Sequence, residues 1–152
     1  MPAGNPELFP EPLSPAPAFV IQADGSARNN PGPAGIGVCV LDAAGKVLAE
    51  TARPIGEHTN NQAEYEALLE ALDQAAPLDG PVVIQTDSEL LYHQLSGRYK
   101  VKDPDLRPLV SEAKSRLARL PHVRLKLVRR EANKRADRLA QAASAKALVH
   151  GE

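Results

Sequence analysis

Residues 19–41 read FVIQADGSARNNPGPAGIGVCVL, and this stretch decides the fold. An apolar strand from Phe19 to Asp24 is followed by a segment rich in Gly, Asn and Pro, and then by a second apolar strand from Gly35 to Leu41. Two strands with so short a connection form an antiparallel pair. A third strand from Lys46 to Pro54 extends the pair into a meander.

Helices and strands alternate after this meander. The pattern predicts helices over Asn60–Ala75, Ser88–Leu95, a long segment after Asp105 and Asn133–Ala147, and strands over Val82–Thr86 and Val123–Val128. Asp105 is the expected N-cap of the third helix. The order β-β-β-α-β-α-α-β-α predicts an α/β fold, with helices packed on the faces of one mixed five-stranded sheet.

The length of 152 residues, with 43% hydrophobic and 24% charged residues, is typical of one folded domain. Residues 1–17 hold six prolines and little apolar periodicity, which predicts a disordered Pro-rich tail before a folded domain over residues 18–148. No apolar run approaches the roughly 20 residues of a membrane span, and the first residues lack a signal-peptide pattern. We therefore expect a cytoplasmic monomer that does not associate with membranes.

Charge is distributed unevenly along the chain, although the net charge is only −1. Between Arg98 and Arg138 there are 14 Lys or Arg against five Asp or Glu, a local charge of +9, and the remainder carries −10. So basic a segment is typical of a protein that binds a polyphosphate, although solvated helix faces explain the same pattern. The acidic remainder contains most of the candidate metal ligands.

Two of the predicted strands end in the same pattern, Gln-x-Asp. Alternate side chains share one face of a strand, so Gln22 and Asp24 lie together, as do Gln85 and Asp87. Strands on either side of a crossover helix are usually parallel neighbours. In that arrangement the two carboxylates lie side by side at the end of the sheet where open α/β sheets bind ligands.

Two of the predicted helices also place an acid on the face that packs toward the sheet. Glu64 lies on the apolar stripe of Leu68 and Leu72, and Asp137 lies on that of Ala140. An acid in such a place is costly to bury unless it is paired or binds a metal. We therefore expect four carboxylates to converge on one site: Asp24, Glu64, Asp87 and Asp137.

Clustered carboxylates repel one another unless cations lie among them. Oxygen ligands suit Mg²⁺ or Mn²⁺, whereas the single Cys39 and four separated histidines show no zinc-ligand spacing. Two such cations about 4 Å apart would stabilise both the attacking and the departing oxygen of an in-line displacement at phosphorus. Each acid alone also fits an ordinary turn, cap or helix start, so the expectation of phosphodiester cleavage rests on their joint placement.

Four multi-residue motifs stand in order along the chain. They are Asp24-Gly25-Ser26 with Asn30-Pro31-Gly32-Pro33-Ala34-Gly35, then Thr59-Asn60-Asn61-Gln62-Ala63-Glu64, then Thr86-Asp87-Ser88-Glu89, then Asn133-x-x-Ala136-Asp137-x-Leu139-Ala140. This series resembles that of type 1 ribonuclease H over about Ala18 to Ala147. Several motifs in order make the resemblance specific, and it implies a ribonuclease H-like fold.

The resemblance also implies a reaction. It is endonucleolytic hydrolysis of the RNA strand of an RNA/DNA hybrid by two Mg²⁺ or Mn²⁺ ions, leaving 5′-phosphate and 3′-hydroxyl ends. Asp24 would be shared by both metals, and Asp137 would complete the site that activates the attacking water. Glu64 and Asp87 would hold the second metal near the leaving group. Double-stranded RNA is a further candidate substrate.

Contacts with the hybrid follow from the same resemblance. The expected substrate-binding residues are Asn30, Thr59, Asn60, Asn61, Gln62, Ser88 and Asn133. Asn30 and Thr59 would lie near a phosphate of the DNA strand. Asn60, Asn61 and Gln62 would contact the minor groove and the 2′-hydroxyls that distinguish RNA from DNA. Capping of the helix that begins near Asn60 is the alternative role of these side chains, and Asn60 can serve both.

Two features depart from the best-known form of the family. Val128–Asn133 contains no His and is too short for the loop that carries a mobile His in many members. Arg130 and Glu131 are candidates for the proton handling or product release that this His would perform, although a simple helix entry also explains them. A Trp-rich basic protrusion is also missing, and only the brief basic segment Arg98–Lys102 stands in its place. We expect salt-sensitive hybrid binding through that segment and the basic face of the third helix.

Other functions fit parts of the pattern. A non-catalytic hybrid-binding or interaction module on the same fold is the main alternative, and the presence of all four acids argues against it. A related exonuclease or integrase would differ in the fourth motif and would process nucleic acid from an end. An α/β domain with acids on unrelated surfaces is the remaining possibility.

Overall fold

Strands and helices follow the predicted order in the computed structural model, which describes residues 16–149. The strands are β1 (Phe19–Ala27), β2 (Gly32–Asp42), β3 (Val47–His58), β4 (Val82–Thr86) and β5 (Val123–Leu127). The helices are α1 (Asn60–Ala75), α2 (Glu89–Leu95), α3 (Arg107–Ala118) and α4 (Lys134–Val149), with a short 3₁₀ helix at Arg130–Asn133 before α4. The predicted tail over residues 1–17 lies almost wholly outside the described residues.

The strands form one mixed sheet in the order β3-β2-β1-β4-β5. Strands β1, β2 and β3 pair antiparallel, while β4 is parallel to both β1 and β5. Gln22 of β1 stands level with Gln85 of β4, so the two Gln-x-Asp patterns end at the same height. This topology confirms the predicted α/β fold and the parallel pairing on which the site depends.

The hydrophobic core lies between the sheet and the helices α1, α2 and α3. Its members include Ile21 of β1, Ile36 and Val38 of β2, and Leu68 and Leu72 of α1, all no more than 1% exposed. Apolar residues recur in α1 at the spacing of one helical face, so the burial of that face explains why the helix forms where the pattern predicts it. Because alternate residues of β2 point to opposite faces, the residues between those core positions face α4.

Helix α4 packs against the second face of the sheet by close backbone contact. A Cβ atom built on Gly37 would meet the carbonyl oxygen of Ala136 and would lie only 2.6 Å from the nitrogen of Ala140. One built on Gly35 would lie 2.5 Å from the nitrogen of Ser144. The two glycines of β2 therefore leave the space in which α4 lies, and this space sets the height of α4 above the sheet.

Several local features differ from the sequence-based expectations, including the end of β1, which lies at Ala27 and not at Asp24. Helix α3 begins at Arg107 with Leu106 at its N-cap and no capping side chain, so the prediction of Asp105 as N-cap is wrong. The Asp105 N–H instead donates to Asp103 Oδ1 at 2.9 Å, in the turn before the helix. Strand β3 continues to His58, beyond the predicted Pro54. No helix within residues 16–149 combines the length and apolarity needed to cross a bilayer.

A Gly37→Ala substitution tests the close packing of α4. The added methyl group would press against helix backbone rather than a movable side chain. We expect the free energy of unfolding to fall by about 3 kcal/mol and the melting temperature by about 10 °C. Thermal unfolding measures the effect, with Ala52→Ser on exposed β3 opposite Gly37 as the control. A Gly37→Ala protein as stable as the control would contradict the packing argument.

Candidate metal centre

Asp24 and Asp87 meet at the carboxyl end of the parallel pair β1–β4. Asp24 lies near the end of β1 and is only 5% exposed, and Asp87 directly follows β4. The register of the pair brings them alongside each other, as the repeated Gln-x-Asp pattern predicts. Two strands thus place two acids at one edge of the sheet.

Glu64 reaches the same place from α1. The Gly25 N–H donates to Glu64 Oε1 at 3.0 Å, which ties the helix acid to the residue after Asp24. A Cβ atom on Gly25 would collide with the backbone of Ala63, so α1 can approach β1 only because this residue is glycine. The start of α1 is fixed by a capping box, in which Thr59 Oγ1 accepts from the Gln62 N–H and Gln62 Oε1 accepts from the Thr59 N–H.

Asp137 comes from the first turn of α4, on the other face of the sheet. It lines the same open cavity of about 450 Å³ as Asp24, Glu64 and Asp87. Its side chain is 27% exposed, and its Oδ1 atom lies 3.8 Å from a guanidinium nitrogen of Arg130. Four elements therefore contribute one carboxyl each to a single cavity.

The acids lie close enough to share cations. Ligand oxygens of Asp24, Glu64 and Asp87 all lie within 4.8 Å of one another. The donors are carboxylate oxygens, which hard divalent cations such as Mg²⁺ and Mn²⁺ prefer. The donor set at this edge of the sheet therefore fits such cations.

The same proximity perturbs the ionisation of the acids. Burial, followed by the charges of Glu64 and Asp87, raises the pKa of Asp24 to about 10. Burial also raises the pKa of Glu64 to about 7, although a hydrogen bond with Asp24 opposes the rise. The pKa of Asp87 is raised too, mainly by burial, while the neighbouring Arg130 lowers it. Full ionisation of the metal-free cluster is therefore electrostatically unfavourable, and bound cations would remove this electrostatic cost.

The polar side chains at the rim form a connected framework. Asn60 Oδ1 accepts from the Ala27 N–H at 2.8 Å, and the Asn60 N–H donates to Asn30 Oδ1 at 2.9 Å. Asn61 is exposed, and Ser88 caps α2 by accepting from the Leu91 N–H at 3.2 Å. The helix-capping role weighed for Thr59 and Gln62 is thus present, while Asn30, Asn60 and Asn61 are exposed at the surface.

Asn133 occupies a different position from the one expected. Its side chain is 0% exposed, and its Nδ2 atom donates to the Ala23 carbonyl oxygen at 2.9 Å. The expectation that Asn133 contacts substrate does not agree with this position, because no part of the residue reaches the surface. Its amide faces the strand that carries Asp24.

Sequence reasoning missed two residues near the cavity. Gln141 lines it from α4, one turn beyond Asp137, and the i, i+4 spacing is the signal that could have found it. Arg28, just after β1, donates to Ser144 Oγ at 3.2 Å and to the Gln141 carbonyl oxygen at 3.4 Å. No local pattern predicts this contact, because its partners are more than 110 residues away.

Arg130 and Glu131, the candidates to replace the loop histidine, are both exposed on the 3₁₀ helix before α4. Arg130 lines the metal-centre cavity, as well as a neighbouring cavity that it shares with Glu131. Of the two, only Arg130 lines the cavity that all four acids share. It is therefore the better placed of the pair to meet a phosphate.

Comparison with known proteins identifies relatives of this chain. The family model described as reverse transcriptase-like matches residues 22–143. The bifunctional protein Rv2228c of Mycobacterium tuberculosis is 45% identical over 123 residues, which cover 80% of this chain and 34% of that protein. The chain thus spans about a third of the length of this curated relative.

Two solved structures show the same fold over nearly their whole length. The N-terminal RNase H domain of Rv2228c from M. tuberculosis, solved as a fusion with maltose-binding protein, has a TM-score of 0.81 at 42% identity and covers 88% of this chain and 98% of that one. LC11-RNase H1 in complex with an RNA/DNA hybrid has a TM-score of 0.78 at 43% identity, covering 86% and 99%. On this identity and coverage, the chain belongs to the type 1 ribonuclease H family.

Proposed function

We propose that this chain hydrolyses the RNA strand of RNA/DNA hybrids by an endonucleolytic, metal-dependent reaction that leaves 5′-phosphate and 3′-hydroxyl ends. The observation that carries the proposal is the meeting of four carboxyls from four elements in one cavity, three of them with ligand oxygens within 4.8 Å of one another. The solved complex of LC11-RNase H1 with an RNA/DNA hybrid, from a relative 43% identical, supports the choice of substrate.

Asp24, Glu64, Asp87 and Asp137 are the residues that would hold Mg²⁺ or Mn²⁺, two ions per site. When bound, such ions supply Lewis acidity, which activates water and stabilises charge on the phosphate. Asp24 is the central ligand of the proposal, because its carboxyl interacts with each of the other three. With ions bound, the four carboxyls would hold them at the end of the sheet, and the ions would in turn face the reacting phosphate.

In this proposal, the polar residues at the rim of the cavity bind the hybrid. Asn30 and Asn60 are joined to each other and to the end of β1, so their amides are presented in fixed positions. With Thr59, Asn61, Gln62 and Ser88 they form the proposed contact surface for the sugar-phosphate backbone and the 2′-hydroxyls.

Of the basic residues expected to help bind the hybrid, Arg116 of α3 is already paired with Glu112 and Asp73. The exposed Arg98, Lys100 and Lys102 are the positive charges of the segment proposed to contact the hybrid, together with the exposed Lys114 of α3.

Asp24→Asn tests the proposed reaction. Loss of a shared metal ligand should reduce cleavage of a labelled RNA/DNA hybrid below about one-hundredth of wild type, because even indirect disturbance of a metal site costs about 10–100-fold. Hybrid binding should remain. Asp79→Asn makes the same chemical change on an exposed residue before β4, at the opposite end of the sheet, and should cleave normally. Full activity of Asp24→Asn would refute the mechanism, and a wild-type protein that binds but never cleaves would identify a non-catalytic module.

The stability of the metal-free protein gives a second test. The pKa of Asp24 is raised from 3.8 to about 10, so the folded state keeps a proton that the unfolded state releases. Stability from this group is therefore full at acidic pH and declines as pH rises toward 10. Asn mimics the protonated acid, so Asp24→Asn in EDTA should melt at least about 3 °C above wild type at pH 8, equivalent to about 1 kcal/mol, and by a smaller margin at pH 5.

Metal ions should change this comparison. Added Mn²⁺ should raise the melting temperature of the wild-type protein more than that of Asp24→Asn, because ligand binding stabilises the state that binds it. Asp79→Asn should follow wild type under all of these conditions. Equal melting temperatures of wild type and Asp24→Asn in EDTA at both pH values would contradict the electrostatic account of the cluster.

The salt dependence of hybrid binding tests the basic segment. Each phosphate contact contributes about 0.9 to the slope of log affinity against log salt. A Lys100→Gln variant should therefore lower that slope by about 1, whereas Lys46→Gln, in the β2–β3 turn at the far end of the sheet, should leave it unchanged. Fluorescence anisotropy at several salt concentrations measures both. Identical slopes for the two variants would exclude the segment from the interface.

A further inference from the structure

Asn133 holds the backbone of β1 at the point from which Asp24 projects. Its Nδ2 atom donates to the carbonyl oxygen of Ala23, the residue before Asp24, at 2.9 Å. A carbonyl oxygen can only accept, so the nitrogen of the amide must face it and the orientation of the side chain is fixed. The bond joins residues 110 positions apart and is fully buried.

The same amide neighbours a second acid of the cluster. The Asn133 side chain lies close enough to the Asp87 carboxyl to oppose the rise in the pKa of that group. An amide nitrogen carries two hydrogens, and the Ala23 carbonyl takes only one of them. The bond to β1 therefore fixes the amide beside the residue that follows β4.

The side-chain oxygen of Asn133 indicates a role beyond stability. Asn133 Oδ1 is buried and has no hydrogen-bond partner within residues 16–149. An unpaired buried acceptor is costly, so an apolar residue of similar size would fill this space at a lower cost if packing were all that mattered. The useful part of the side chain is its pair of N–H groups.

A second amide side chain joins the same two elements, and it donates from β1 to the 3₁₀ helix. Gln22 Nε2, on β1, donates to the Ala132 carbonyl oxygen at 3.2 Å. Two hydrogen bonds thus join β1 and the 3₁₀ helix: Gln22 donates from the strand, and Asn133 donates from the helix. Because the 3₁₀ helix leads directly into α4, this joint also fixes the entry of the helix that carries Asp137.

We propose that Asn133 is a positioning residue that fixes Asp24 relative to Asp87 by donating to the Ala23 carbonyl, and thereby sets the metal affinity of the site. The inference rests on the proposed function, since it concerns the same carboxylates. Asn133 has no exposed surface, so its effect on turnover passes through the acids and not through contact with the substrate.

Two substitutions remove the donors in different ways. Asn133→Ala deletes the amide, and Asn133→Leu keeps its approximate size but carries no donor. Ser144→Ala is the matched control, because Ser144 is also a fully buried polar residue, lies on α4 and hydrogen-bonds to Arg28 and to the Gln141 carbonyl, with no side-chain bond to β1 or β4 within residues 16–149. All proteins are compared at a temperature at which thermal unfolding shows each to be folded.

Mn²⁺ affinity, measured by isothermal titration calorimetry, is the first readout. We expect Asn133→Ala to bind Mn²⁺ about 10-fold more weakly than wild type and Ser144→Ala to bind it normally. Steady-state cleavage of a hybrid is the second readout. Both Asn133 variants should lose about 10–100-fold in kcat with KM changed less than about twofold.

Each other outcome overturns the inference. Wild-type Mn²⁺ affinity in Asn133→Ala would leave Asn133 with a structural role only, and an increased KM with unchanged kcat would make it a substrate contact. If Asn133→Ala does not fold, an unchanged kcat in Asn133→Leu overturns the inference by itself. The metal titration needs no turnover, so a wild-type protein that binds Mn²⁺ but cleaves no hybrid would refute the proposed function and still allow the positioning role to be tested.

Discussion

Mutual repulsion among four carboxyls in one partly buried cavity is the constraint on which the rest of the structure depends. Ligand oxygens within 4.8 Å of one another cannot all carry charge without an opposing cation, and burial increases the cost. The hydrogen bond between Asp24 and Glu64 only partly opposes this repulsion. The scaffold must therefore bring the acids together through contacts made elsewhere, and a large share of the chain's specific packing meets this requirement.

Glycine at three positions lets the backbone make those contacts. Gly25 allows α1 to approach the end of β1 from one face of the sheet, and Gly35 and Gly37 allow α4 to lie against β2 on the other. Any side chain at these positions would meet helix backbone, which cannot move as a flexible side chain can. The acids on the two helices consequently reach past the sheet to the carboxyls of β1 and β4, and the close packing on both faces offsets the electrostatic cost at the edge.

Much of this arrangement could be predicted from the sequence, because it follows from short-range periodicity. The bounds of α1 and β4 agree with the prediction to the residue, and the repeated Gln-x-Asp pattern implied the parallel pair that the sheet contains. Asp105 was wrongly predicted as an N-cap, because Asp103 competes for the same turn and accepts the Asp105 N–H itself. Arg116 illustrates another limit, since its ion pair with Asp73 joins two helices and has no local signal. Similarity of motif indicated that Asn133 matters but could not show which way its side chain points.

The asparagines of this site divide into two groups by burial, and the division explains why one residue type recurs around it. Asn60 and Asn30 are exposed, and each uses its side-chain oxygen to accept a backbone N–H, so their NH₂ groups remain available to a ligand. Asn133 is buried and uses its NH₂ group inward, to donate to the backbone of β1. An amide suits both positions because it donates and accepts without carrying charge. A charged donor in the interior would neutralise the cluster that metal ions must occupy, and a carboxylate at the rim would repel a phosphate backbone. Neutral amides therefore surround the acids on both sides, and the negative charge is kept where the cations bind.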